Sequence, residues 1–494
     1  MLSRMPYLLL WLIVLAAPLV SCSSVRNQRV AAVQSSQQTS GGVVIDKSGQ
    51  TYVNQHKIVV GLNADDFSYR RVTTIIKGKG RELEVVRDCS AIAAIRLNGD
   101  MQDTSSKVNK VTIINRDTIE IHTKAMVEKY RHEIKNQANP DRPYQYLRFL
   151  GMMSEGEGNM LVNEGVIIIV FDHDPSADFR VYGFGLCGNA NSTFINRGLI
   201  KFGGMGSPLT RMRGMGSMAD NVSFINEGTI NIDVQMSEDA RMITSGGEYN
   251  EIINNGTMLG RSSGTLLGMT RYGDSHIVNN GTIDLSVVKM PDGYKSILAG
   301  SEKFVCGMME LMSSKCTHIP PMGNKGVINI TLDGLDDTDW TGYGMYVGMV
   351  SPCRTNMSVN NDGTIGLAQR GSNVKHQMAE MGIFSRVMGD SPISITIGNW
   401  RTHLRDFKKK EEHLFVSNCA VKMDFSKANV HLLQGKDGAD GKVWSVSPDV
   451  LLTNPSGKST VEGYEKIGFA AALDGFNMNW NKAGKTISLT KKTN

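Results

Sequence analysis

The chain has 494 residues, a formal net charge of +5, 40% hydrophobic residues and 7% aromatic residues. That is enough apolar material for a folded body, and the weak, dispersed positive charge shows no basic stripe interleaved with aromatics, which excludes nucleic acid as a partner. Length alone suggests about three ordinary domains, but stacked repeats escape that rule because their coils share one continuous core.

In chain order, Arg4 makes a weakly positive start, and Tyr7 to Val20 is an apolar run of signal-peptide size, short for a membrane span. It ends in Leu19-Val20-Ser21-Cys22, which resembles a lipobox. The resemblance implies that residues 1–22 are a lipoprotein signal peptide with Cys22 as the lipidation site, each buried acyl CH₂ adding about 0.8 kcal/mol of membrane affinity. The competing reading is an ordinary signal peptide with an incidental cysteine. Ser23 rather than Asp follows Cys22, which implies transfer to the outer membrane, lipid-anchored and facing the cell surface or the periplasm. Residues 23–42 are Ser, Gln, Arg and Gly with few large apolar groups, as in a flexible tether. Residues 43–105 hold alternating apolar stretches, such as Ile58-Val59-Val60, and read as an N-terminal β-cap.

The repeat follows. Seven segments read apolar-x-Asn-x-Gly-x-apolar: Asn163 to Gly165, Asn196 to Gly198, Asn226 to Gly228, Asn254 to Gly256, Asn279 to Gly281, Asn324 to Gly326 and Asn361 to Gly363. A degenerate copy, Asn115-Arg116-Asp117, carries Asp where Gly usually stands. Two residues after each Gly come Ile167, Ile200, Ile230, Met258, Ile283, Ile328 and Ile365; two before each Asn come Leu161, Phe194, Phe224, Ile252, Ile277, Met322 and Val359. Period-2 alternation on both flanks means strand, tight turn, strand, with one buried face. The turn is expected to use Gly for positive φ, which Asn also tolerates, and stacking would align the asparagines into a hydrogen-bonded ladder. Successive turn glycines lie 25 to 45 residues apart, one solenoid coil plus its loops. A looser Gly-Met signal at Gly151, Gly214, Gly268, Gly307, Gly348 and the related Gly382-Ile383 reads as another strand of the same coil, with Met filling the interior.

Phe224-Ile225-Asn226-Glu227-Gly228-Thr229-Ile230 and Gly344-Met345-Tyr346 resemble passenger repeats of bacterial autotransporter adhesins, closest to the fusobacterial type. The resemblance covers roughly residues 90 to 400. It implies an all-β chain: a right-handed parallel β-helix over 106–400 with an insertion near 124–147, and a C-terminal cap over 401–494. Autotransporters end in a membrane β-barrel of alternating strands. The residues up to Asn494 show no such series, so the expected body is passenger-like and held by lipid.

Two segments interrupt the pattern. Met126, Val127, Tyr130 and Ile134 stand at helical spacing before Pro140 and Pro143, predicting a short helix. Arg405, Lys408 to Lys410, Glu411 and Glu412 form a charge cluster, either a contact for anionic lipid or a solvated helix end. Strands with one helix near Val461 to Leu473 are expected beyond it. Besides Cys22 there remain Cys89, Cys187, Cys306, Cys316, Cys353 and Cys419, none in a C-x-x-C pair. The short loop makes Cys306–Cys316 the first choice of disulfide, with six reduced thiols the alternative.

Chemistry-bearing residues are few. Asp172 and Asp174 flank His173 just past a strand, an acid pair of the kind β-helix lyases and hydrolases use, or else a solvated loop before Pro175. Asp333, Asp336, Asp337 and Asp339 offer a candidate Ca²⁺ site, against an exposed acidic turn. No H-E-x-x-H or phosphate-binding loop occurs, and no catalytic residue and no cofactor is assigned beyond that Ca²⁺ site. Exposed Met and Tyr near Tyr343 to Tyr346 are a candidate binding groove, against Met as core filler. The leading expectation is a non-enzymatic, adhesin-like envelope lipoprotein contacting the membrane through Cys22 and a glycan, matrix or cell-surface protein through its β-helix. The alternatives are a polysaccharide lyase or hydrolase on the same fold, and a structural component of envelope assembly.

Overall fold

The computed structural model describes residues 42–63 (without 46), 76–78, 81–83, 88–97, 108–136, 145–154, 156–295, 303–312, 320–336, 340–349, 357–385 and 393–403, and shorter stretches between 414 and 492. Cys22 and the Lys408 to Lys410 cluster lie outside the described residues. The chain forms two compact units, one made of residues up to Asn250 with Thr257–Leu266 and Val287–Lys303, the other of Glu251–Gly256, Leu267–Ser286 and Phe304–Asn494. Each is built of stacked coils, and each coil contributes one strand to each of three parallel sheets. The architecture is a right-handed parallel β-helix, the hand that parallel crossovers almost always take.

In the first unit, an incoming sheet leads into the Asn-x-Gly turns through Thr51–Asn54, Thr112–Asn115, Met160–Asn163, Thr193–Asn196 and Ser223–Asn226. An outgoing sheet leaves them through Ile58–Val60, Thr118–His122, Val166–Phe171, Leu199–Gly206, Thr229–Met236 and Thr257–Ser262. A return sheet closes each coil through Val43–Ile45, Asp88–Leu97, Gln145–Met153, Arg180–Cys187, Thr210–Ser217 and Asp239–Ser245. The second unit repeats the plan. His276–Asn279, Met322–Asn324 and Met357–Asn361 are incoming, Val327–Asp333 and Thr364–Arg370 outgoing, and Lys303–Met312, Trp340–Met349 and Gln377–Ser385 return.

Alternation decides which side chains go inside. Leu161 pairs with Ile113 and Phe194, Phe194 with Phe224, and Ile167 with Ile119 and Ile200, each fully buried. Like residues therefore stack coil on coil, as the 5.4 Å separation of the Phe194 and Phe224 rings shows. Each such side chain contributes about 1.5–3 kcal/mol by leaving water. The Gly-Met signal is the complement of this stack. A Cβ on Gly151, Gly214, Gly268 or Gly307 would lie 2.4–2.8 Å from Cγ2 of Ile167, Ile230, Ile283 or Ile328, so each return-sheet glycine makes room for the isoleucine that follows the turn. The register corrects one member: Met345 pairs with Met381, and Gly344 meets Ile365, so Gly344-Met345 and not Gly348-Met349 occupies the interior. Gly382 likewise faces the Tyr343 ring outside the coil.

At the turns the asparagines stack in register. In the first unit Nδ2 of Asn54, Asn115, Asn163 and Asn196 donates to Oδ1 of the next asparagine at 2.8–2.9 Å; in the second, Asn254, Asn279 and Asn324 do so at 2.7 Å. The ladder thus starts at Asn54, one coil below the first repeat recognised in the sequence. The glycines, however, are not there for positive φ: none of the seven turn glycines adopts it. They are there because coils approach closely. A Cβ on Gly198 would lie 1.9 Å from the carbonyl oxygen of Gly165, and one on Gly363 1.9 Å from that of Gly326. Left-handed residues instead line the corner ahead of the incoming strands: Gly49, Lys110, Gly158, Asn191, Asn221 and Tyr249.

The interruption forms the helix Lys124–Asn136, with Met126, Val127 and Tyr130 buried and the Tyr130 ring edge-on to Phe179 at 5.1 Å. No helix occupies the described residues of 461–473; Thr460–Glu462 and Gly468–Ala471 are strands that continue the stack in parallel. Beyond them Val443–Ser445, Phe476–Asn481 and Thr486–Lys491 form an antiparallel sheet. Among the described residues no helix is long and apolar enough to cross a membrane.

Candidate functional site

Two clusters of charged side chains stand out in the first unit. The first surrounds the acid pair Asp172 and Asp174, in the loop after the outgoing strand Val166–Phe171. A polar chain crosses three coils there. Lys57 Nζ contacts Glu120 at 2.7 Å, Glu120 contacts His122 Nε2 at 2.9 Å, and His122 Nδ1 contacts Asp172 Oδ2 at 3.0 Å. The other Asp172 oxygen accepts from the backbone N–H groups of Thr123 and Lys124 at 2.9 and 2.8 Å. It therefore caps the helix Lys124–Asn136, where an anion is favoured by the free N–H groups and the helix dipole. Asp174 turns away, accepting from Ser176 N at 2.9 Å and pairing with Arg131 of that helix at 3.0 Å.

The electrostatics follow from these contacts. Burial disfavours the charged His122, but its hydrogen bonds to Asp172 and Glu120 prevail and raise its pKa. Burial works against ionised Asp172 too, yet His122 and the two backbone donors hold its pKa low. Asp174 falls to about 2 through its bonds to Ser176 and Arg131. His173, buried with the Thr123 hydroxyl at 2.8 Å from Nδ1, is pushed down to about 4 by desolvation. The acid pair is thus split: one carboxylate seats the helix N-terminus, the other ties down its third turn.

The second cluster was not singled out from the sequence. It lies on the outer face of the return sheet, where Arg180–Cys187, Thr210–Ser217 and Asp239–Ser245 stack. Two carboxylates each hold two guanidinium groups. Glu238 accepts from Arg180 Nε at 2.9 Å and Arg211 Nε at 2.7 Å, with a second contact to each arginine. Asp239 accepts from Arg213 Nη2 at 2.6 Å and from Arg241 Nε at 3.1 Å. Tyr182 completes the group, its hydroxyl accepting from Arg211 Nη1 at 3.0 Å. Arg211, Arg213, Arg241, Glu238 and Asp239 are all less than 9% exposed. Burial lowers the Arg213 pKa to about 10, with Arg241 and Arg211 adding to it against Asp239. For Asp239 the neighbouring arginines overcome burial and hold the carboxyl far below its usual range. The sequence signal was charge at alternate positions just before a Gly-Met pair, as in Arg211-Met212-Arg213-Gly214-Met215.

The remaining candidates are dispersed. Asp333 ends the strand Val327–Asp333 and Asp336 follows it, while Asp337 and Asp339 lie outside the described residues. Among the described residues no group of three or more His, Cys, Asp or Glu is placed to hold a metal ion. Cys306 is a free, fully buried thiol donating to the Met308 carbonyl, which corrects the Cys306–Cys316 pairing. Tyr343 is buried, not exposed, in an apolar cluster with Cys306, Met309 and Ala379, against which Phe304, Tyr346 and Phe384 pack. The asparagines and glycines of the turns, from Asn163 and Gly165 to Asn361 and Gly363, serve the stack described above.

A family model described as the BigA third pectate lyase-like domain matches residues 22–243. The match lies within the first unit and covers both charged clusters up to Arg241. No curated protein and no solved structure matches the chain.

Proposed function

We propose that this chain is a lipid-anchored protein of the bacterial outer membrane whose β-helix serves as a non-enzymatic, adhesin-like binding surface for a glycan, matrix or cell-surface protein. The observation that carries this reading is the use made of the carboxylates. Asp172 caps a helix, Asp174 anchors it, and Glu238 and Asp239 are each clamped by two arginines. A general base needs an ionised carboxylate within reach of a substrate proton, and these four are spent on the chain's own donors. The match to a pectate lyase-like domain supports the β-helix under either a binding or a lyase reading. Anchoring rests on Leu19-Val20-Ser21-Cys22.

The test is retention and chain shortening recorded together. The purified chain is exposed to immobilised polysaccharides and matrix proteins, with and without Ca²⁺. Retention with intact ligand, unchanged in Asp172→Asn with Asp174→Asn, is the expected result; shortened polysaccharide would overturn it in favour of a lyase or hydrolase. Cys22→Ser is expected to abolish labelling by fatty acid and release the chain from membranes.

A further inference from the structure

The arginine clamps carry more positive charge than their carboxylates balance. Among the described residues, Arg211, Arg213 and Arg241 face Glu238 and Asp239, and Glu238 is shared further with Arg180. A buried carboxylate between two guanidinium groups neutralises one of them. The second keeps its charge in a setting where desolvation is costly and water screens little. Arg241 donates through Nε to Asp239 and pairs with it through Nη2, and among the described residues no other acceptor for its guanidinium is seen. Arg213 spends Nη1 on the backbone carbonyls of Met212 and Asp239 and Nη2 on the same carboxylate.

We propose that the outer face of the return sheet around Arg213 and Arg241 is an oxyanion site, binding the carboxylate or sulfate group of an acidic ligand against the surplus guanidinium charge. Three features of the site fit that chemistry. The planar forks of arginine match the geometry of carboxylate and sulfate oxygens, and two forks are already oriented by Asp239. Parallel strands in register hold Arg213 beside Arg241, as Arg213 pairs directly with Arg241 across the sheet. Burial above all, and then the Arg241 and Arg211 charges, lower the Arg213 pKa against the opposing pull of Asp239. A bound oxyanion would raise it again. The inference deepens the binding reading by naming the charge of the ligand.

The probe is inorganic sulfate. Equilibrium dialysis of the full chain against labelled sulfate, at ionic strength held constant with chloride, is expected to show saturable binding. Arg213→Met is expected to weaken it about ten-fold or more, as loss of a charge-assisted hydrogen bond implies. Asp239→Asn, which enlarges the surplus, is expected to tighten it. Absence of saturable binding by the wild-type chain, or a tightening in Arg213→Met, would overturn the site. Should Arg213→Met fail to fold, Asp239→Asn decides alone through the sign of its effect. Competition by sulfated against uronic oligosaccharides then separates the two sources, and displacement by neutral sugar alone overturns the site. If the chain retains an uncharged glycan yet ignores sulfate, the oxyanion site falls while the binding reading stands.

Discussion

At the Asn-x-Gly turn, two residues answer to different forces. The asparagine amide is fully buried and is paired above and below, so removing one rung leaves its neighbours with unmatched polar atoms. Asn196→Ala is expected to cost about 1–3 kcal/mol, read from urea unfolding. Gly198→Ala should cost at least as much, because its Cβ would enter the Gly165 carbonyl. Gly323→Ala, with open space around its Cβ, should change stability by no more than about 0.5 kcal/mol. The turn was legible in the sequence; the reason for its glycine was not, since the atom that excludes a side chain comes from a coil some thirty residues away. Asn54 escaped notice for the same reason. It keeps the spacing Tyr52-x-Asn54-x-x-x-Ile58 but has His56 where later coils have Gly. The two histidines near Asp172 pull pH dependence in opposite senses. The raised pKa of His122 gives a contribution fully present below about pH 6.5 and lost as pH rises through the folded value. The lowered pKa of His173 gives one present above about pH 6.5 and lost as pH falls toward about 4. His173→Leu should therefore flatten the acid side of the stability profile and His122→Gln the neutral side, both followed by thermal unfolding across pH.

Among the elements, the helix Lys124–Asn136 shows how an insertion is fastened to a solenoid. Its apolar side, Met126, Val127 and Tyr130, was visible as a helical period, and the prolines beyond it as a stop. Its cap was not, because Asp172 lies 48 residues from Lys124. Asp172→Ala is expected to destabilise the chain by about 1 kcal/mol and to increase amide exchange in the first helical turn, with little change in the incoming sheet. The return strands are the harder case. Their charged residues look like ordinary solvent-facing alternation until parallel stacking sets Arg211 beside Asp239 and Arg213 beside Arg241. Spacing within one strand shows the alternating charge beside the Gly-Met pair but not which charges meet across coils, because that depends on the parallel register.

For the molecule as a set of coils, the contacts that hold the fold join residues far apart in sequence, as the 25 to 61 residues between ladder partners show. Loop closure precedes every such contact, which predicts refolding in the slow regime of β-rich topologies, milliseconds to seconds or longer, by stopped-flow fluorescence. Interruptions of the stack fall where no rung is formed. Lengthening an exposed loop costs only about 0.6 kcal/mol per doubling. A flexible insert between Asp292 and Gly293, both exposed, should leave the urea midpoint almost unchanged, whereas one extra residue between Asn279 and Gly281 should not be tolerated.

The ladder's indifference to what lies between its rungs gives the second unit the property of a measuring scale. Asn254 and Asn279 are 25 residues apart and Asn279 and Asn324 are 45, yet each pair is joined by the same 2.7 Å bond. Height is set by the number of asparagines and not by the amount of sequence. Lineages can therefore enlarge, shrink or exchange the decorations on each level without altering the distance between levels.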